Sequence, residues 1–170
     1  MSGLLAPPVT TASAWAALAQ VLDPEVPVLS VVELGIVRDV SVDGSTVSVC
    51  ITPTYSGCPA TEVIQAAIVT ALRQAGAKRV NVHLQLAPAW TTDWIAPAAA
   101  EKLRRYGIAP PHLAGSPLSA QPLRFHPRDV HCPQCNSART EQLSAFGSTA
   151  CKALYRCLAC REPFDYFKPI

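Results

Sequence analysis

Two C-x-x-C pairs, Cys132-Pro-Gln-Cys135 and Cys157-Leu-Ala-Cys160, stand near the end of the chain, separated by the 21 residues 136–156. A spacing of two lets one tight turn aim both sulfurs at a single ion, and the separation is close to that of four-thiolate zinc sites. The expected occupant is Zn²⁺, with iron in a rubredoxin-like sulfur cage chemically open, since tetrahedral sulfur suits both metals. Protein thiolates fill all four positions, so no coordination site is left for chemistry and the predicted role is structural. So small a module has too little core to fold alone, and metal binding supplies the missing free energy. The segments Thr140 to Phe146, Cys151 to Arg156 and Phe164 to Phe167 are expected to be the strands of a ribbon around the ion. Such knuckles turn through left-handed backbone just after their second cysteine. Asn136 tolerates that conformation and Arg161 does so less well, which predicts slight strain in the second knuckle.

The seven cysteines are an odd number, and no secretory signal precedes them: the first Lys or Arg is Arg38, and Pro7, Pro8 and Ser13 interrupt the early apolar segment. A cytoplasmic, reducing location is the default expectation, in which this spacing argues for metal chemistry over a disulfide framework. No run approaches the roughly 20 apolar residues that would cross a bilayer, so no membrane is expected. The formal charge of +2 is too near neutral for a nucleic-acid footprint. A charged fraction of 15% beside 49% hydrophobic residues points instead to a protein partner.

Ahead of the cysteine module, period and punctuation predict α-β-β-α-β. Thr11 to Leu22 carries Trp15, Leu18, Ala19 and Leu22 on one helical stripe and stops at Asp23-Pro24. Val31 to Val42 and Thr46 to Ile51 are β-branched runs joined at Asp43-Gly44, a hairpin signal, with Val47, Val49 and Ile51 on one face. After Cys58-Pro59, two apolar rows, Val63, Ala67, Ala71 and Ile64, Ile68, Leu72, recur at helical spacing up to Gly76. Lys78 to Leu86 alternates as a strand, with Val80, Val82, Leu84 and Leu86 toward the core. Pro97 opens a further helix to Tyr106, closed by Gly107. Residues 108–127 turn Pro-, Ala-, Ser- and Gly-rich without periodicity and read as a semi-rigid linker. The expected class is α+β, with an α/β domain over 1–107, the linker over 108–127 and a β-rich zinc ribbon over 128–170.

Cys58 stands immediately before the second helix, where free amides and the helix dipole stabilise an anion and lower a thiol's pKa. A small buried residue at a helix start would look the same. Asp23-Pro24-Glu25 offers two carboxylates on proline-restricted backbone, although acidic residues beside proline are usually just solvated. Cys50 reads as packing on its strand, and His83, His112, His126 and His131 show no ligand-pair spacing. There is no G-x-S-x-G, P-loop, G-x-G-x-x-G or H-E-x-x-H.

The runs Asp23-Pro-Glu-Val-Pro-Val-Leu-Ser30, Val32-Glu-Leu-Gly-Ile-Val-Arg-Asp39 and Thr52-Pro-Thr-Tyr-Ser-Gly-Cys-Pro59 resemble the small α/β domain of iron–sulfur cluster assembly and carrier proteins. Phe146-Gly-Ser-Thr-Ala-Cys-Lys-Ala-Leu-Tyr-Arg-Cys157 and Glu162-Pro-Phe-Asp-Tyr-Phe167 resemble the zinc-ribbon tail of PaaD-type accessory subunits of bacterial phenylacetyl-CoA epoxidase. The resemblance implies an accessory subunit, without catalysis of its own, of the multicomponent monooxygenase that epoxidises phenylacetyl-CoA in aerobic phenylacetate breakdown. It further implies partner oxygenase subunits and an iron–sulfur reductase, and a role in installing a transient iron–sulfur cluster or iron. On this chain it puts Asp23, Glu25, Thr52 and Cys58 at the transfer site, an incomplete ligand set able to release what it binds. The ribbon would dock the client, and homo-oligomerisation is left open. Two other classes compete: a small thiol enzyme using Cys58 with His83 or an acidic partner as base, and a nucleic-acid-binding ribbon using Lys152, Arg156, Arg161 and Lys168.

Overall fold

The computed structural model describes residues 8–55, 57–111 and 130–170. They form two compact units, the first holding the chain up to Trp90 with Trp94–Ala96, the second Thr91–Asp93 and the chain from Pro97.

In the first unit, helix α1 (Thr11–Leu18) starts at a capping box, Thr10 accepting from the Ser13 amide while the Ser13 hydroxyl accepts from that of Thr10. The helix is shorter than its stripe predicts. Ala14, Leu18 and Val21 are the buried residues, whereas Ala19 and Leu22 are exposed. The reason lies just beyond, where the Asp23 carboxylate accepts from the amides of Glu25 and Val26, each at 2.8 Å, and folds the chain into a loop.

Strands β1 (Val37–Asp43) and β2 (Thr46–Ile51) pair antiparallel, with an irregularity between Val37 and Asp39. The expected first strand from Val31 is wrong in its first half. Residues 31–35 make a helical turn, because Ser30 and Glu33 cap each other: the Glu33 amide donates to the Ser30 hydroxyl at 3.2 Å, and the Ser30 amide donates to the Glu33 carboxylate at 3.0 Å. Gly35, with φ +67°, ends that turn. The tight connection is Gly44-Ser45, one residue later than expected, since Asp43 pairs with Thr46.

Helix α2 (Ala60–Gln74) crosses to β3 (Arg79–Leu84), which lies parallel to β2, giving the order β1-β2-β3. Of the two apolar rows on α2, Ile64, Ile68 and Leu72 are buried, but Val63 is 57% exposed. Val47, Val49 and Ile51 fill the core face as their alternation predicts. The opposite face carries Cys50, whose thiol donates to Gln85 at 3.0 Å. Leu84 and Leu86, expected inside, are exposed at the end of β3, for the alternation in sequence outruns the helical cover.

The second unit begins with α3 (Pro97–Tyr106) and a two-residue strand, β4 (Ile108–Ala109). β4 joins β5 (Thr140–Ser144), β6 (Lys152–Cys157) and β7 (Pro163–Phe167) in a sheet of order β4-β7-β6-β5. The expected division at residue 107 therefore separates residues that the fold joins: β4 pairs in parallel with β7, and α3 packs on β4. Most of the linker read over 108–127, with His112 and His126, lies outside the described residues.

Candidate functional site

The ribbon brings its four cysteines to one point. Their sulfurs lie within 4.8 Å of one another, with Cys132 and Cys160 at 3.7 Å and Cys135 and Cys157 at 3.5 Å. A tetrahedral ion with metal–sulfur bonds of ~2.3 Å sets its sulfurs ~3.8 Å apart. A disulfide would need ~2.05 Å, and all seven cysteines are free thiols. The donor set and its spacing thus fit one four-coordinate soft ion of the Zn²⁺ type.

Each knuckle is held by backbone. The Asn136 amide donates to the Cys132 carbonyl at 2.9 Å, and the Cys157 amide donates to the Glu162 carbonyl at 3.0 Å. The amides of Ala159 and Cys160 point at the Cys157 sulfur from 3.4 and 3.5 Å. The Cys160 amide first, then that of Ala159 and two neighbouring thiols, outweigh burial and hold the Cys157 thiol down to about 6. Cys160 is pushed up to about 12: the Glu162 amide favours its thiolate, but burial and the thiols of Cys157, Cys135 and Cys132 outweigh it. Burial likewise raises Cys132. Without a cation the cluster favours a thiolate at Cys157 and resists one at Cys132 and Cys160; a dication lets all four ligands bind as thiolates.

The left-handed turns occur where the sequence places them, Asn136 at φ +59° and Arg161 at φ +69°. An arginine carries the Cβ penalty of that conformation. Arg161→Gly is therefore expected to stabilise the metal-loaded protein by about 0.5–1 kcal/mol, read as a higher ribbon melting temperature at unchanged metal content. A lower one would mean that the arginine side chain stabilises more than its backbone strain costs.

Basic side chains on the ribbon are already engaged. Lys152 is buried, with its Nζ 3.5 Å from the Asp165 carboxylate; Arg156 pairs with Glu141. Lys168 lies 4.5 Å above the Phe146 ring and donates to the Ala145 carbonyl. That leaves Arg161 of the four residues which a nucleic-acid reading would need. Asp165 also accepts from Ser148, so the Lys152–Asp165 pair pins the loop at Gly147, a role that no local sequence signal announces. His131 faces the Asn136 carbonyl at 3.2 Å and stands outside the cysteine cluster.

In the first unit the structure places the four candidate residues as follows. Cys58 is buried just before α2; its amide donates to the Tyr55 carbonyl at 3.3 Å and its carbonyl accepts from Thr61 at 3.1 Å. Pro59 caps the helix with no side-chain bond, so the cysteine side chain does not serve as the cap. Asp23 is buried and spends one oxygen on its own loop, which marks it as the residue that positions Glu25. Glu25 itself is half-buried. Thr52 is only 1% exposed, and its hydroxyl is the buried side-chain oxygen or nitrogen left without a hydrogen-bond partner among the described residues. His83 stands on β3 opposite Cys50.

Comparison with known proteins agrees with both halves. A family described as iron–sulfur cluster assembly protein matches residues 11–86, and one described as PaaD zinc beta ribbon domain matches residues 118–168. A domain of unknown function from Bacillus anthracis is 26% identical, covering 52% of this chain and 85% of that one at a TM-score of 0.49. A conserved hypothetical protein from Thermotoga maritima is 34% identical, covering 56% and 94% at the same TM-score of 0.49. The putative D-type subunit of the 1,2-phenylacetyl-CoA epoxidase of Escherichia coli (strain K12) is 55% identical over 156 residues, 92% of this chain and 91% of that protein. No helix among the described residues is long and apolar enough to cross a membrane. With that identity along nearly the whole length, and a cluster-assembly domain joined to a four-cysteine ribbon, the chain belongs to the PaaD-type family of 1,2-phenylacetyl-CoA epoxidase subunits.

Proposed function

We propose that this chain is a non-catalytic accessory subunit of a multicomponent phenylacetyl-CoA epoxidase, which helps to load iron or an iron–sulfur cluster onto a partner subunit, the iron–sulfur reductase foremost. The observation that carries the reading is the Thr52 hydroxyl, buried at 1% exposure with no partner among the described residues. Burying a hydroxyl unpaired costs about 1–3 kcal/mol. A site that exists to bind something supplies the missing partner when its cargo arrives.

Thr52 directly follows β2, and Cys58 lies on the loop that leads into α2. Cys58 supplies a soft sulfur ligand, Glu25 a hard carboxylate held in place by the Asp23 turn, and Thr52 a hydroxyl able to donate to a sulfide or thiolate. Such a set is too small to saturate a metal or cluster, which suits exchange with a client over storage. The ribbon site is the opposite case: a closed set of four thiolates holds Zn²⁺ as a structural staple.

The test is anaerobic purification with the reductase and oxygenase subunits, followed by iron, sulfide and zinc analysis of wild type and Cys58→Ser. Iron and sulfide are expected to fall to background in the variant while zinc stays at the wild-type level. A variant that keeps its iron, together with a fully loaded reductase, would end the delivery reading.

A further inference from the structure

The other apolar row of α2, Val63, Ala67 and Ala71, is only partly covered, and its two ends differ in shape. Near the start Val63 projects, 57% exposed. Near the end an open groove of about 510 Å³ is lined by Ala67, Thr70, Ala71 and Gln74 of α2 and by residues 20–22 of the chain after α1. Leu22, which the Asp23 turn leaves beside α2, is itself 54% exposed. A knob and a hole on one helix face are what an antiparallel copy of the same face needs.

Charge fits the same operation. Glu62 in the first turn and Arg73 in the last are both exposed. Eleven residues make about three helical turns, so the two lie along one line, ~16 Å apart. In an antiparallel two-fold pair the same flanks of the two helices adjoin. The axis that sets Glu62 against Arg73 of a second copy passes between Ala67 and Ile68. It brings Val63 opposite the Thr70 to Gln74 stretch of that copy, which is the groove. One axis therefore satisfies two knobs, two holes and two ion pairs, and nothing about the apolar row alone requires that coincidence.

We propose that α2 is a homodimer interface, with a second copy of this chain as its occupant in an isologous antiparallel pairing centred between Ala67 and Ile68. A single helix face buries less than the ~800 Å² per partner of a standard interface. The dimer is thus weak and reversible, with a dissociation constant in the micromolar range.

Sedimentation velocity of the full-length, zinc-loaded chain across a concentration series tests it. Wild type is expected to shift from monomer to dimer. Glu62→Arg and Arg73→Glu, each setting like charges opposite one another twice, should raise the dissociation constant about tenfold. The double exchange Glu62→Arg with Arg73→Glu should restore it, and circular dichroism should show all variants folded. A wild type that stays monomeric, single exchanges without effect, or a double exchange that fails to rescue would each overturn the proposal. So would a chain that remains monomeric while these variants lose an epoxidase partner subunit, for then that subunit is the occupant of the face.

Discussion

Replacing Cys157 by Ser is expected to unfold the ribbon, not merely to weaken its metal site. Cys132 and Cys157 are 1% and 0% exposed and belong to the same buried cluster as Val130, Ala153, Phe164 and Tyr166. Two of the ion's four ligands are thus also core residues, and few others are available to take their place. Structural zinc contributes about 10–16 kcal/mol to folding in small four-ligand modules, comparable to the ~5–15 kcal/mol that holds a whole domain together. Loss of one thiolate in four forfeits a large part of it. The variant should retain little zinc, and amides of β5, β6 and β7 should lose hydrogen-exchange protection, while those of β2 and α2, which have their own core, keep theirs. Chelation of the wild type should do the same, and more readily as pH falls, because protons compete with the ion for thiolates. A variant that kept protected ribbon amides without zinc would show that Phe164, Tyr166 and their neighbours suffice as a core.

That staple is also the most legible part of the molecule. Cysteine spacing, the left-handed residues after each knuckle and the short β-rich segments are all local signals, and the ribbon strands fall within one or two residues of where those signals put them. Helix α2 is equally plain, bounded by Pro59 and Gly76. What composition could not reveal is non-local. A two-residue strand such as Ile108–Ala109 has no periodicity, and only its pairing with β7 assigns it and α3 to the second unit. The burial of Leu84 and Leu86 depended on how far helices cover the sheet, which no alternation encodes.

One signal was present and outweighed. Ser30-Val-Val-Glu33 is a capping box, but four β-branched or aliphatic residues around it favour a strand by propensity, and the reciprocal hydrogen bonds decide for a turn. At the candidate transfer site the residues were visible and their states were not. The sequence presents Asp23 and Glu25 as two like carboxylates, whereas the fold uses Asp23 to shape the loop that carries Glu25. That the Thr52 hydroxyl lacks a partner emerges only once the core has closed around it.

The turn after that capping box carries the second large effect. Gly35→Ala should destabilise the first unit by about 3–4 kcal/mol, the sum of a left-handed alanine and a forced repacking. At φ +67°, a Cβ on Gly35 would lie 2.5 Å from the Trp94 carbonyl oxygen and 2.7 Å from the Trp94 Cβ. Neither neighbour gives way freely. The Ala96 amide donates to the Glu33 carbonyl at 2.8 Å, and the Trp90 indole donates to the Leu34 carbonyl at 2.9 Å. The Arg38 guanidinium lies 3.5 Å from the centre of the Trp94 ring, with one nitrogen donating to Gly35 itself. Pushing Trp94 outward therefore strains two hydrogen bonds and a cation–π contact together. Gly44→Ala provides the control, for Gly44 shares the positive φ, +57°, yet a Cβ there meets nothing within 4 Å. Its cost should be the backbone part alone, about 1 kcal/mol. Urea titrations followed by tryptophan fluorescence give both values. If alanine at 35 costs no more than alanine at 44, Trp94 is not clamped against the turn, and its tight approach contributes nothing to stability.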